Sequence, residues 1–449
     1  MNRNILGLYK KAVSVGIAFF VYISLASAAS LTEMVDSALS GHEDIINAKK
    51  ELEEAGRDVT VAKLAYAPDL SVKWEGGSND KDDAATDSQV DGWDTYDWTY
   101  KQKIMDSGAT LADIRNKNIE LDKQELEYIG ARNGLLIEAA DAYLGLIKAS
   151  EKLQASIEAE ASTRETSGQE EIRVQVGSGL TSDVLKSKRQ LANAQKTVIT
   201  DEKAFQSAVY TYETVFKTED PDVNSLTKPR VSPEALAMLP NSMAETVDLA
   251  MLMNRDLMIS KMDVDIARNT VITALSGFGP TVDGEYKRSF KDDASHTAGS
   301  HSEESIKLTI EFPISGIWME MPGYLNDRSA LDRAINDHAV KERDTVKDAK
   351  EAWQEYANAR TLLSYSENEA TISRELLTIT QMEREAGQSD AAAVLSAEET
   401  LESAMKDLSD DSMALITSVY ALLDVVNMLE PSMIESSSKA GTFNTTATE

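Results

Sequence analysis

Two hydrophobic periods divide this chain. Over long stretches apolar residues recur every seven positions, as in Ile114, Leu121, Tyr128 and Leu135 and again in Leu401, Leu408, Leu415, Leu422 and Leu429. That is the spacing of a coiled-coil seam. The nine prolines stand at 68, 221, 229, 233, 240, 280, 313, 322 and 431. Positions 69–220 and 323–430 are therefore free of a residue that costs roughly 3 kcal/mol inside a helix. Each gap predicts very long helices; one over about 107–164 would be ~87 Å long at ~1.5 Å per residue.

At four places the period changes to two. Leu70, Val72, Trp74 and Gly76 alternate with Ser71, Lys73 and Glu75, and Tyr96, Trp98 and Tyr100 alternate with Thr95, Asp97, Thr99 and Lys101. Further on, Val282, Gly284 and Tyr286 alternate with Asp283, Glu285 and Lys287, and Ile306, Leu308, Ile310 and Phe312 alternate with Ser305, Lys307, Thr309 and Glu311. Each run predicts a strand of about nine residues with one apolar face, long enough to cross a bilayer when tilted. The same alternation would also suit a soluble antiparallel sheet. Between the members of each pair, 79–91 and 291–304 are acidic and polar and read as water-exposed loops.

The chain also repeats itself. A shift of 212 places Glu33, Val35, Asp36, Ala38, Asp44, Ala55, Val59, Ala62 and Pro68 on Glu245, Val247, Asp248, Ala250, Asp256, Ala267, Val271, Ala274 and Pro280. A shift of 210 places Gly177, Val184, Leu185 and Leu191 on Gly387, Val394, Leu395 and Leu401. Duplication decides architecture before local propensity does. Each copy reads as an amphipathic helix, a proline, two short strands around an acidic loop, and two long helices joined at a glycine. The expected division is a leader at 1–28, a first repeat at 29–216, a linker at 217–240, a second repeat at 241–430 and a tail at 431–449.

Charge and composition narrow the function. The 449 residues carry 45 Lys and Arg against 76 Asp and Glu, a net charge of −31. Such a chain repels phosphate backbones and has no basic patch, which argues against nucleic acid as a partner. Zero Cys excludes disulfides, thiolate metal sites and a lipidated N-terminal Cys. Arg3, Lys10 and Lys11 precede an apolar run at 12–25 and then Ala26-Ser27-Ala28, the layout of an export signal cleaved after Ala28. No later stretch approaches the ~18 consecutive apolar residues of a membrane helix, so any crossing must be made by strands closed into a barrel. Four strands cannot close one, since about eight are needed even for a filled barrel, and several chains must pool them.

Catalytic chemistry finds little support. His296 and His301 lie among Asp292, Asp293, Glu303 and Glu304, but their spacing in an acidic loop fixes no ligand geometry, so no metal is expected. Gly177-Ser178-Gly179 lacks the following Lys-Ser/Thr and the preceding strand of a phosphate loop and reads as a turn between helices. No nucleophile triad or carboxylate pair stands out. The expectation is a chain that is not an enzyme and needs no cofactor.

These residues resemble a known family. The twofold repeat, the helix ending in Ala65-Tyr66-Ala67-Pro68-Asp69-Leu70, the turn Met105-Asp106-Ser107-Gly108 that opens a long helix, and the stretch from Gly177 to Leu185 matched by Gly387 to Leu395 are together similar to the TolC-type outer-membrane efflux and secretion channels. The resemblance implies a mainly α fold with membrane β: a homotrimer in which each protomer gives four strands to a 12-stranded barrel in outer-membrane lipid and long helices to a periplasmic tunnel. It implies a passive exit duct for type I protein secretion or small-molecule efflux. The partners it implies are a periplasmic adaptor and an inner-membrane ABC or proton-driven transporter. The lipid face would carry Val72, Trp74, Tyr96, Trp98, Tyr100, Val282, Tyr286, Ile306, Leu308, Ile310 and Phe312. The family gate lies at the helix turns. Asp183 matches its pattern in the first turn, in Thr181-Ser182-Asp183-Val184-Leu185 after Gly177, although its place just after Thr181 and Ser182 also suits a helix N-cap or a solvated first-turn acid. Where some members carry pore aspartates in the second turn, this chain has Ala393 and Ser396, with Asp390 nearby. The alternative reading is a coiled-coil surface, adhesion or structural protein without a pore, which would not need duplicated strands with a lipid-suited face.

Overall fold

A computed structural model describes residues 31–83, 86–177, 180–218, 231–292, 300–314, 316–389 and 391–434, with 221, 223, 226 and 229 between them. The leader 1–28, His296, Asp390 and the tail beyond 434 lie outside the described residues. The elements run α1 (Leu31–Gly41), α2 (Glu43–Leu64), β1 (Asp69–Asp83), β2 (Thr86–Met105), α3 (Ala109–Gln175) and α4 (Thr181–Phe216), then α5 (Pro233–Met238). The same order follows again as α6 (Met243–Met253), α7 (Arg255–Ser276), β3 (Thr281–Asp292), β4 (Ser300–Glu311), α8 (Gly316–Glu385) and α9 (Ala391–Val425). A 3-10 turn, Pro431–Met433, closes the described chain.

The amphipathic helix expected at the head of each copy is broken in two. The His42 ring accepts from the Asp44 amide in the first copy, and in the second the Asn254 side chain accepts from the Leu257 amide at 3.0 Å, so each residue caps a new helix. Within the linker, Ser232 caps the short helix α5 by accepting from Ala235 N–H at 3.0 Å.

The long helices exceed the expectation: α3 has 67 residues and α8 has 70, each about 100 Å at ~1.5 Å per residue. Helix α8 begins ahead of Pro322 and contains it, although the ring removes the hydrogen bond that would reach the Trp318 carbonyl. Helix α3 starts at a tight junction with β2. Ser107 and Gly108 take φ of 55° and 97°, the Ser107 hydroxyl donates to the Pro280 carbonyl at 2.7 Å, and the buried Asp106 accepts the Thr110 amide at 3.0 Å. That junction ties the first copy to the second where helices give way to strands.

The strands form one antiparallel sheet in the order β1-β2-β3-β4. The ladder corrects the first acidic loop: Asn79 pairs with Asp91, Asp80 with Val90 and Lys81 with Gln89, so 79–91 is largely a continuation of β1 and β2. Backbone pairing needs no apolar side chain, and the ladder continues past the alternating segment. In the second copy the pairing reaches Lys291 with His301 and Asp292 with Ser300, while 293–299 lie outside the described residues.

The hydrophobic core sits midway along the helices, not at the sheet. Leu136, Tyr143 and Leu146 of α3 meet Val419, Tyr420 and Leu423 of α9, with Tyr212 of α4, Val35 of α1 and Ile434 enclosing them. The Leu415, Leu422 and Leu429 seam runs into this cluster or its border. Leu423→Ala removes an entirely enclosed side chain and should destabilise the helical part by about 2–5 kcal/mol, seen as a lower thermal midpoint by circular dichroism.

Candidate functional site: channel wall and gate

Register decides which strand residues share a face. Leu70, Tyr100, Tyr286 and Ile306 stand in one row across all four strands, Val72 beside Trp98 and Trp74 beside Tyr96 in the next two, and Val282 opposite Ile310 nearer the helices. Leu308 stands opposite Gly284, and Phe312 follows β4 in the same alternation. Every residue expected to face lipid thus lies on one face. Most are exposed in the isolated chain, with Ile306 at 86% and Leu70 at 65%, while Val282 and Tyr286 are half-buried. A sheet surface so apolar requires a cover other than water.

The opposite face is charged and internally paired. Asp97, only 9% exposed, accepts from Lys287 at 2.7 Å and from the Ser289 hydroxyl at 2.5 Å. Lys291 pairs with Glu303 at 2.6 Å and Lys73 with Glu75 at 2.5 Å. Glu75, Thr95, Asp97, Lys287, Ser289, Lys291 and Glu303 line a concavity of about 680 Å³. His301 lies beside Glu303 at 3.8 Å in this face, and no cluster with the makings of a metal site occurs among the described residues.

The apolar band also crosses the strands obliquely. It centres on Val72 in β1, opposite Trp98, and on Leu308 in β4, level with Gly284 and Gln102, so on β2 the two centres are four residues apart. Four residues are about 13 Å along a strand and three inter-strand steps about 14 Å across, so the band runs at roughly 45° to the perpendicular of the strands. Strands of a closed membrane barrel tilt by about this much.

At the far end each helix pair turns on a glycine. Gly177 has φ of 80° and Gly387 φ of 73°, the left-handed conformation that ends helices. In the second turn Gln388 N–H reaches the Glu383 carbonyl at 2.8 Å and Gly387 N–H the Arg384 carbonyl at 3.0 Å. Asp183 lies in the first turn of α4, where its negative charge meets the positive end of the helix dipole, and it accepts from Lys186 at 3.3 Å. Leu395 is buried at 3%, whereas the matching Leu185 is 66% exposed, and Val176 and Leu180 near it are exposed as well. The two tips therefore present different surfaces.

Between core and tips the two helical hairpins meet through polar groups. Lys148 and Lys152 of α3 both reach Asp410 of α9, at 3.0 and 2.6 Å, and the Ser162 hydroxyl donates to Glu398 at 2.7 Å. Lys406 of α9 bridges Asp201 of α4 at 2.9 Å and Glu402 at 2.7 Å while donating to the Ser156 hydroxyl at 2.9 Å. Nearest the tips, Arg384 of α8 donates to the buried Glu170 of α3 at 3.0 Å. This seam escaped the sequence reading, because its acids look like every other acid on a solvated helix face.

The comparisons with known proteins agree with this geometry. Residues 34–211 match the family described as outer membrane efflux protein. The outer membrane protein TolC of Vibrio cholerae is 23% identical over 411 residues, 90% of this chain and 91% of the relative. Over nine tenths of its length the chain is thus similar to a TolC-type outer-membrane channel. Among solved folds, the outer membrane protein VceC of Vibrio cholerae superposes with a TM-score of 0.74 at 14% identity, covering 88% of this chain and 95% of its own. The CmeC outer membrane channel of Campylobacter jejuni gives 0.75 at 14% identity, covering 91% and 87%. These likenesses, to outer-membrane proteins, support an outer-membrane exit duct whose helical part lies in the periplasm rather than an enzyme.

Two predictions follow from these faces and seams. If the exposed apolar face meets lipid, Leu308→Lys on it should cost up to about 2–4 kcal/mol of insertion and deplete the urea-resistant membrane fraction, whereas Ser71→Lys on the polar face should not. Burial by itself would push the Lys406 ammonium down, but Glu402 and Asp201 outweigh it and hold the pKa above the usual lysine range. The stability from such a raised pKa is complete below the unfolded value of ~10.4 and is lost as pH rises through the folded one. Lys406→Met should therefore speed amide hydrogen exchange in 148–170 at neutral pH, and the wild type should show the same loosening only above about pH 10.5.

Proposed function

We propose that three copies of this chain pool their strands into a 12-stranded barrel and their helices into a tunnel, as a passive duct for type I protein secretion or small-molecule efflux. The observation that carries this reading is the exposed apolar sheet face, backed by a charged face and crossed by a band at a barrel's tilt. A four-stranded sheet with open edges at β1 and β4 cannot remain so in lipid, where every backbone group needs a partner, and further copies supply the missing strands. A second seam supports self-association. Leu362, Tyr365, Ile372, Leu376, Ile379 and Met382 are exposed on α8 at helical spacing and would pack between neighbours.

The leader 1–28 would be removed on export, and the repeats 29–216 and 241–430 would act as the two structural units of each protomer, with 217–240 and 431–449 around the middle. The partners in this reading are a periplasmic adaptor at the helix tips and an inner-membrane ABC or proton-driven transporter that supplies the energy. The gate would lie between the Gly177 and Gly387 turns, with Asp183 repeated three times around the axis and Asp390 beside it; acidic rings favour cations. An adhesive or purely structural coiled coil leaves the lipid-suited sheet face without a role.

Planar-bilayer conductance of the detergent-extracted protein, with native mass from the same sample, tests the reading. Channels from a species of three chains, widened by Asp183→Ala, are the expected result. A soluble, non-conducting monomer or dimer would refute it. Channels unchanged by Asp183→Ala would keep the duct and move the gate away from the first turn.

A further inference from the structure

One residue on the apolar sheet face is out of character with its surroundings. Along β3 the outward row reads Val282, Gly284, Tyr286, Arg288 and Phe290, and register places Arg288 beside Trp98 of β2 and Glu304 of β4. Every other Lys of the four alternating segments, from Lys73 and Lys101 to Lys287, Lys291 and Lys307, alternates onto the charged face. Arg288 alone brings a cation to the side that meets lipid. It lies near the outer end of the band, away from the helices, so its long side chain can carry the guanidinium to the interface while its stem stays among apolar neighbours.

The local contacts leave that guanidinium available. Its centre lies 4.9 Å from the Phe290 ring, a cation–π stack that fixes its direction without neutralising it. The Glu304 carboxylate across the strand pair accepts instead from the Tyr286 hydroxyl at 2.5 Å. Among the described residues Arg288 forms no ion pair. Strand β3 is flanked on both sides by strands of its own chain, so no neighbouring protomer comes directly beside it. An exposed, stacked and unpaired guanidinium at the membrane interface is suited to bidentate recognition of phosphate.

We propose that Arg288 binds the phosphate of a phosphorylated lipid in the outer leaflet, with Phe290 and Tyr286 lying along the lipid. The site rests on this sheet face meeting lipid, as the duct reading requires. Binding here would hold one lipid per protomer at a fixed height and orient the barrel in the membrane.

Delipidated full-length protein in detergent, titrated with phosphatidic acid and followed by native mass spectrometry, tests the site. Diacylglycerol with the same chains serves as the phosphate-free control. One phosphatidic acid per protomer is expected, weakened about tenfold in Arg288→Gln, less in Arg288→Lys, and retained in Glu304→Gln. Equal binding by wild type and Arg288→Gln, or by diacylglycerol, would overturn the proposal. Loss in Glu304→Gln equal to that in Arg288→Gln would make Arg288 a partner of Glu304 and likewise overturn it. Displacement of the lipid by equimolar inorganic phosphate would reassign the site to a soluble anion. A chain that stays soluble without detergent would instead refute the membrane reading itself, which separates the two failures.

Discussion

A slip of one residue in the ladder joining β2 to β3 would move Tyr286 and Phe290 to the charged face and put Lys287 and Lys291 among the aromatic residues of the other. The two-residue period of a strand makes register an all-or-nothing property, and here both faces are specified. One must shed water, and the other must keep Asp97, Lys287 and Ser289 within bonding distance. The junctions at Ser107–Pro280 and Asp106–Thr110 hold this register where it matters, at the end where strands become helices. The apolar band, its oblique course and the charged face behind it all follow from that alignment.

The helices divide their labour along their length. Midway, Leu136, Tyr143, Leu146, Tyr420 and Leu423 form a dry cluster whose disruption costs stability directly. Toward the tips, the contact between hairpins passes to ion pairs and hydroxyls, from Lys152–Asp410 down to Arg384–Glu170. Polar links of this kind contribute modestly when solvated, yet leave an expensive buried charge when one partner is removed. Near the tips they stand beside a small apolar patch at Val394 and Leu395 rather than a core like that of the middle. The apolar middle and the polar contacts nearer the tips therefore differ in how they resist separation.

Much of this architecture was legible in the sequence because its signals are periodic. Heptads from Ile114 to Leu135 and from Leu401 to Leu429 announced long helices, the spacing of the prolines bounded them, and alternation over 70–76, 95–101, 282–287 and 305–312 announced strands. The departures have local causes. Caps at His42 and Asn254 divide helices that the pattern ran together. Pro322 is tolerated inside α8, and 79–91 joins the ladder because hydrogen bonds between strands do not depend on side-chain polarity.

The sequence by itself determined the class of elements, the duplication and the two-faced strands, since each depends on residues close together in the chain. Only the tertiary structure decided which residues meet across it. The oblique band, the lone cation at Arg288, the contrast between exposed Leu185 and buried Leu395, and the pairing of Lys406 with Asp201 depend on register and on the packing of helices some 200 residues apart in sequence. Acidic residues that look alike in the chain differ in burial and partner, and those properties arise only when distant segments come into contact.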